Sequence, residues 1–157
     1  GARGLPNFDA KTGGVSDPYC KCLVDGRSYS IVQTGTVMNS LDPVWNATFE
    51  MEDCSVDDAL RFEVHDKDFG SEDDLLGTAV LPGKRIFPHG FHGDLALSKK
   101  GVLSVRVGFD GMTEAEFVYP GGVRAKEARL WQWPAAAAKA GGDSRAPAAS
   151  STFVAAS

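Results

Sequence analysis

The chain has 157 residues, which allows one domain with an extension. Its charged fraction of 24% and hydrophobic fraction of 43% are those of an ordinary globular protein. The formal net charge of −5 argues against a nucleic-acid partner, which would require a basic face. No stretch reaches the roughly 18 consecutive apolar residues of a membrane-spanning helix.

The predicted elements are short strands separated by turn residues. In chain order the predicted strands are residues 19–24, 28–38, 45–51, 59–66, 75–81, 94–97 and 101–109, after a Gly-rich loop over residues 1–17. Many short strands without a long helix indicate an all-β, antiparallel β-sandwich. We therefore predict one sandwich domain over residues 1–109.

Residues 110–157 form a predicted C-terminal extension. An amphipathic helix is expected at about 122–133, ending at Pro134 and followed by a tail rich in Ala, Gly, Pro and Ser. Large aromatic side chains are favoured in interfaces, so we expect partner binding through Leu130, Trp131 and Trp133. The alternative is that both tryptophans pack back on the sandwich. In the first case, residues 1–120 alone should keep their stability.

Three cysteines, Cys20, Cys22 and Cys54, cannot all pair within one chain. The odd number favours a reducing, intracellular compartment, although one disulfide with a free thiol remains open. Cys20 and Cys22 share one strand face with Val24, which favours core packing over metal ligation. The chain begins with Gly1 and has no secretory signal, so we expect a processed form or a fragment.

An acidic segment, His65–Gly77, joins two of the predicted strands. Two charges 4 Å apart repel by about 4 kcal/mol at an effective dielectric constant near 20, so a bound cation would stabilise such a loop. Carboxylate and hydroxyl oxygens suit Ca²⁺ better than Mg²⁺. A solvated polar loop is the alternative. Five acidic residues lie in the segment: Asp66, Asp68, Glu72, Asp73 and Asp74.

Several motifs resemble those of the C2 domain, the calcium- and phospholipid-binding β-sandwich family. The resemblance covers about residues 1–109 and implies an eight-stranded-type Greek-key sandwich of the permuted, phospholipase-like topology, whose first strand is truncated. That truncation would leave an open sheet edge near residues 1–6, where another chain could dock. The motifs are Ala2–Pro6, Ser16–Tyr19, Leu41–Asn46 with Phe49, Val64–Asp68, Asp74–Gly77 and Gly101–Leu103.

The same resemblance implies a site for two or three Ca²⁺ ions between two loops. It would use Asp9 and Asp17 from the first loop, and Asp66, Asp68 and Asp74 from the third, with Ser71 as a further ligand. Phe69 at the loop apex would contact an anionic phospholipid surface, or would instead cover the loop as a hydrophobic lid. Lys21 stands nearly alone on the strands that bind phosphoinositides in the family, so little phosphoinositide binding is expected.

These observations support two compatible functions. The first is a non-enzymatic, peripheral membrane module that binds Ca²⁺ and phospholipid. The second is a structural accessory subunit of a large membrane complex, for example in an organelle such as the chloroplast, held by the extension and the open edge. We expect no enzyme activity, because no motif places a Ser/His/Asp or Cys/His set.

Overall fold

The computed structural model describes residues 1–9, 13–27, 31–51 and 54–109, together with the backbone of 151–154. Nine strands and one short helix occur in these residues. They are β1 (Ala2–Arg3), β2 (Pro18–Val24), β3 (Ile31–Gln33), β4 (Thr48–Met51), β5 (Ala59–Asp66), β6 (Leu75–Pro82), α1 (Gly83–Ile86), β7 (Phe91–Ala96), β8 (Val102–Phe109) and β9 (Ser151–Val154).

Two antiparallel sheets confirm the predicted β-sandwich. One has the strand order β3-β2-β5-β6. In the other, β8 pairs with β7, β1 and β9, and β9 also pairs with β4. Alternate side chains of both sheets enter a single core, and burial of each large one contributes about 1.5–3 kcal/mol. Fully buried members on β5 and β8 are Leu60, Phe62, Val64, Leu103, Val105 and Val107.

In the second sheet, β1 and β9 lie along the same edge of β8. Ala2 lies opposite Leu103, and Val154 lies opposite Arg106, with β1 and β9 both antiparallel to β8. Because β7 pairs along the other edge of β8, β1 and β9 must lie on the same edge and run in the same direction. The C-terminal strand therefore continues the line of the very short first strand.

The predicted open edge near residues 1–6 is wrong. The amides of Ala2 and Leu5 donate to the carbonyl oxygens of Pro43 and Leu41 at 2.9 and 3.0 Å, on the side of β1 away from β8. The edge is covered because the segment before β4 runs beside it. That segment is anchored in turn by Trp45, whose Nε1 donates to the Pro18 carbonyl at 3.0 Å.

The other predicted elements differ mainly in their ends. Predicted strands 59–66, 75–81 and 101–109 match β5, β6 and β8 closely, whereas the prediction over 28–38 leaves only Ile31–Gln33 among the described residues. Cys20 and Cys22 are buried and form no disulfide, as expected for core packing, and Cys54 is buried as well. Burial raises the pKa of Cys20 to about 12.

The predicted helix over 122–133 lies outside the described residues. The division of the chain at residue 109 stays a prediction. No pattern in the sequence predicted that Ser151–Val154 would join the sheet.

Candidate metal centre

The register between β2 and β5 brings two acidic parts of the chain together. Pro18 pairs with Asp66, so the loop before β2 and the segment after β5 leave the sheet at the same end. The amide of Asp17 donates to Oδ1 of Asp66 at 2.6 Å, and the amide of Lys67 donates to the Asp17 carbonyl at 3.0 Å. Two of the sequence-predicted ligands are therefore adjacent.

The carboxylate of Asp66 is buried but only half satisfied. The residue is 1% exposed, and its Oδ2 has no hydrogen-bond partner among the described residues. A buried polar atom left without a partner costs about 1–3 kcal/mol, and more when the group is charged. A cation at Oδ2 would offset that cost.

Asp9 is drawn into the same cluster by a short hydrogen-bonded turn. Its carbonyl accepts from the Gly14 amide at 3.0 Å, and its own amide donates to Asn7 Oδ1 at 3.2 Å. A Cβ at Gly14 would lie 3.1 Å from the Asp9 Cβ, so glycine permits this approach. Burial raises the pKa of Asp9, and the neighbouring carboxylates raise it further: Asp66, Asp68, Asp17 and Asp74.

Backbone contacts fold the acidic segment back on itself. The Asp66 amide donates to the Asp74 carbonyl at 2.7 Å, and the Asp74 amide donates to Oδ2 of Asp68 at 3.3 Å. The turn between them contains Gly70 with φ of 95°, a conformation that glycine adopts readily. Ser71 in this turn is exposed.

The aspartate side chains are not arranged as a complete metal-coordination site. Within the described ranges, no group of three or more His, Cys, Asp or Glu side chains is arranged to hold a metal ion. Two observations are nevertheless compatible with a hard cation: Asp66 presents a buried unpaired oxygen, and burial together with four neighbouring carboxylates raises the pKa of Asp9.

Asp73 is a feature of the site to which sequence analysis assigned no role. Its carboxylate accepts from the Tyr19 hydroxyl, the Asp68 amide and the Lys67 ammonium, and these contacts lower its pKa to about 2. Nothing in the spacing of the acidic segment distinguishes Asp73 from its neighbours. The contact to Tyr19 spans 54 positions in the chain and depends on the sheet register.

Aromatic side chains are exposed beside both acidic regions. Phe69 is 84% exposed within the acidic segment. Phe8, which sequence analysis did not single out, is 38% exposed, with the Lys99 ammonium 4.7 Å from its ring centroid. Leu130, Trp131 and Trp133 lie outside the described residues.

The chain belongs to the C2 domain family, whose model matches residues 1–95. It is 36% identical over 104 residues to arrestin domain-containing protein B of Dictyostelium discoideum, covering 62% of this chain and 16% of that protein. It is 41% identical over 71 residues to the calcium-dependent lipid-binding protein of Arabidopsis thaliana, covering 44% and 13%.

A solved structure supports the fold. The calcium-bound C2A and C2B domains of extended-synaptotagmin 2 superpose with a TM-score of 0.56 at 23% identity, covering 69% of this chain and 43% of that one. Identity this low bears on the fold alone. The chain spans 16% of the first relative's length and 13% of the second's, so these names describe larger proteins.

Among the described residues, no helix is long and apolar enough to cross a membrane.

Proposed function

We propose that this chain is a non-enzymatic C2 module that binds Ca²⁺ between its two acidic regions and docks on an anionic phospholipid surface. The observation that carries the proposal is the buried, unpaired Oδ2 of Asp66 at the centre of the aspartate cluster. Asp9, Asp17, Asp66, Asp68 and Asp74 would hold the cation, with Ser71 as a further oxygen ligand.

Electrostatics support a cation more strongly than a solvated loop. A solvated loop would spread its carboxylates into water, yet Asp66 is buried and Asp9 has a pKa raised by burial and by four neighbouring acids. Such an arrangement disfavours the folded state without a cation and favours it with one. The bound ion would supply positive charge at the tip, while the protein provides oxygen ligands and holds them at one end of the sheet.

An exposed aromatic residue in the acidic segment supports membrane docking. The side chain of Phe69 is 84% exposed in the same segment as Asp68 and Asp74, so an anionic surface attracted to a cation there would approach its ring. An aromatic ring is well suited to the interface between headgroups and acyl chains. The lipid-binding name of the Arabidopsis relative, which is 41% identical over its matched part, supports the same role.

A thermal-shift titration of the full chain with CaCl2 tests the proposal. A ligand at a hundredfold excess over its dissociation constant stabilises by about 2.7 kcal/mol, and a chain of this length gains roughly 5–10 °C from it. The gain should be much smaller with MgCl2 and absent in Asp66→Asn. Asp25→Asn, at the opposite end of β2, is the matched control and should keep the gain. A melting temperature indifferent to millimolar CaCl2 would refute the calcium function.

The alternative role, an accessory subunit of a membrane complex, stays a prediction. Its residues Leu130, Trp131 and Trp133 lie outside the described part of the chain, and the open edge it relied on is covered. An organellar location likewise rests on the sequence interpretation alone.

A further inference from the structure

The carboxylate of Asp73 is held on both oxygens. The Tyr19 hydroxyl donates to Oδ2 at 2.7 Å, and the Lys67 ammonium donates to both oxygens at 3.0 and 3.1 Å. The Asp68 amide donates to Oδ1 at 3.1 Å. These donors come from β2 and from the acidic segment itself, so the carboxylate ties the segment to the sheet.

The Tyr19 side chain that anchors this contact is buried and packed against β5. Tyr19 is 3% exposed in β2, and its ring stacks on His65 of β5 with centroids 5.4 Å apart and planes 15° apart. The Lys21 ammonium lies 5.5 Å from the same ring centroid. These contacts place the hydroxyl at a defined position on the sheet, where the carboxylate of Asp73 accepts from it.

The tie acts on two of the proposed cation ligands. Asp73 accepts a hydrogen bond from the amide of Asp68 and directly precedes Asp74 in the chain. The Asp74 amide also donates to Oδ2 of Asp68 at 3.3 Å, so both residues belong to one closed turn. Fixing Asp73 therefore fixes the backbone from which both carboxylates project.

We propose that Asp73 is a positioning residue for the cation site, and that the Tyr19 hydroxyl holds it in place before the cation binds. This inference rests on the proposed calcium function and identifies a contact that raises the affinity of the site for Ca²⁺. Without the tie, like charges on the segment would spread it, and binding would have to order it again. Preorganisation removes that cost from the binding step.

Tyr19→Phe is the sharpest variant, because it removes one hydroxyl without changing any charge. Calcium binding is measured on the full chain by isothermal titration calorimetry with CaCl2. Losing a hydrogen bond to a charged group should raise the dissociation constant for Ca²⁺ about tenfold. A merely structural role would lower the melting temperature of the calcium-free chain and leave the dissociation constant unchanged, which would overturn the inference.

A second pair of variants distinguishes the effect of the position of Asp73 from the effect of its charge. Asp73→Asn and Glu72→Gln remove the same charge from adjacent residues, and Glu72 is exposed. The inference predicts a clearly larger loss of affinity for Asp73→Asn. Equal losses would mean that only net charge matters and would overturn it.

Hydrogen exchange of the calcium-free chain distinguishes the two levels of failure. Tyr19→Phe should speed exchange of the Asp68 amide, which donates to Asp73. If the wild-type chain binds Ca²⁺ and neither affinity nor exchange changes in the variant, the positioning role fails alone. If the wild-type chain takes up no Ca²⁺, the proposed function fails and the inference fails with it.

Discussion

Replacing Thr152 with proline would test whether the C-terminal strand belongs to the sandwich. Thr152 lies in register with Glu50 of β4 and Gly108 of β8, so its residue is enclosed by strands on both sides. Proline removes the backbone N–H and is tolerated essentially only on edge strands or at bulges. The variant therefore breaks one ladder hydrogen bond and leaves a carbonyl in the sheet without its donor.

The size of the effect follows from that single bond. An unsatisfied buried backbone group costs about 1–3 kcal/mol. Each kcal/mol lowers the melting temperature of a chain of this length by about 2–4 °C, so Thr152→Pro should melt roughly 5 °C lower. Differential scanning calorimetry on the full chain measures the shift. Ala137→Pro, which adds the same residue before the strand, is the matched control.

Removing the whole strand should have a larger effect. A chain cut after residue 120 lacks β9, which separates β4 from β8, and it would expose two unpaired strand edges. We expect lower stability and concentration-dependent association, in contrast to the sequence-based expectation of unchanged stability. If the truncated chain and Thr152→Pro both melt like the wild-type chain, the role assigned to β9 is refuted.

Three further predictions concern lipid, acid and packing. Sedimentation with anionic liposomes should require CaCl2. Binding should weaken in Phe69→Ala but not in Val80→Ala, which changes a matched exposed residue on β6. Equal binding in chelator and in CaCl2 would contradict this prediction. The Tyr19 hydroxyl is the main cause that lowers the pKa of Asp73 to about 2. The ionised carboxylate therefore stabilises the fold fully above the unfolded pKa, which is near 4. This stabilisation is lost as the pH falls towards 2. Acid unfolding between those values should therefore show a smaller pH dependence in Tyr19→Phe, and an unchanged slope would argue against the contact. Gly83→Ala should destabilise by about 1–3 kcal/mol in denaturant titration, because its Cβ would lie 2.6–2.8 Å from three carbonyl oxygens, whereas Gly35→Ala meets nothing within 4 Å.

The strands of the core could be predicted because their patterns are local. Leu60, Phe62 and Val64 alternate with polar residues, and the same holds for Leu103, Val105 and Val107, so one face of each strand is specified by the sequence alone. The family motifs added the topology, which periodicity does not contain. β1 was missed because two residues are too few to show any period.

The remaining features depend on contacts between distant residues. Ser151–Val154 reads as an ordinary polar-to-apolar tail, and only pairing with β4 and β8 makes it a strand. The covered edge at Ala2 likewise depends on the path of residues 41–43. In the site, the family motifs predicted the five aspartates as ligands, and this stays a prediction. The unpaired Oδ2 of Asp66 and the hydroxyl contact of Asp73 could not be predicted, because they arise from burial and register.

The central claim is that the aspartate cluster binds Ca²⁺, and calorimetric titration of the full chain with CaCl2 tests it most directly. We predict saturable binding of two or three ions to the wild-type chain. The double variant Asp66→Asn and Asp68→Asn should show no binding, with a calcium-free melting temperature no lower than the wild type because a like-charge cluster has been thinned. Absence of binding heat in the wild-type chain at millimolar CaCl2, or equal binding by the double variant, would contradict the claim.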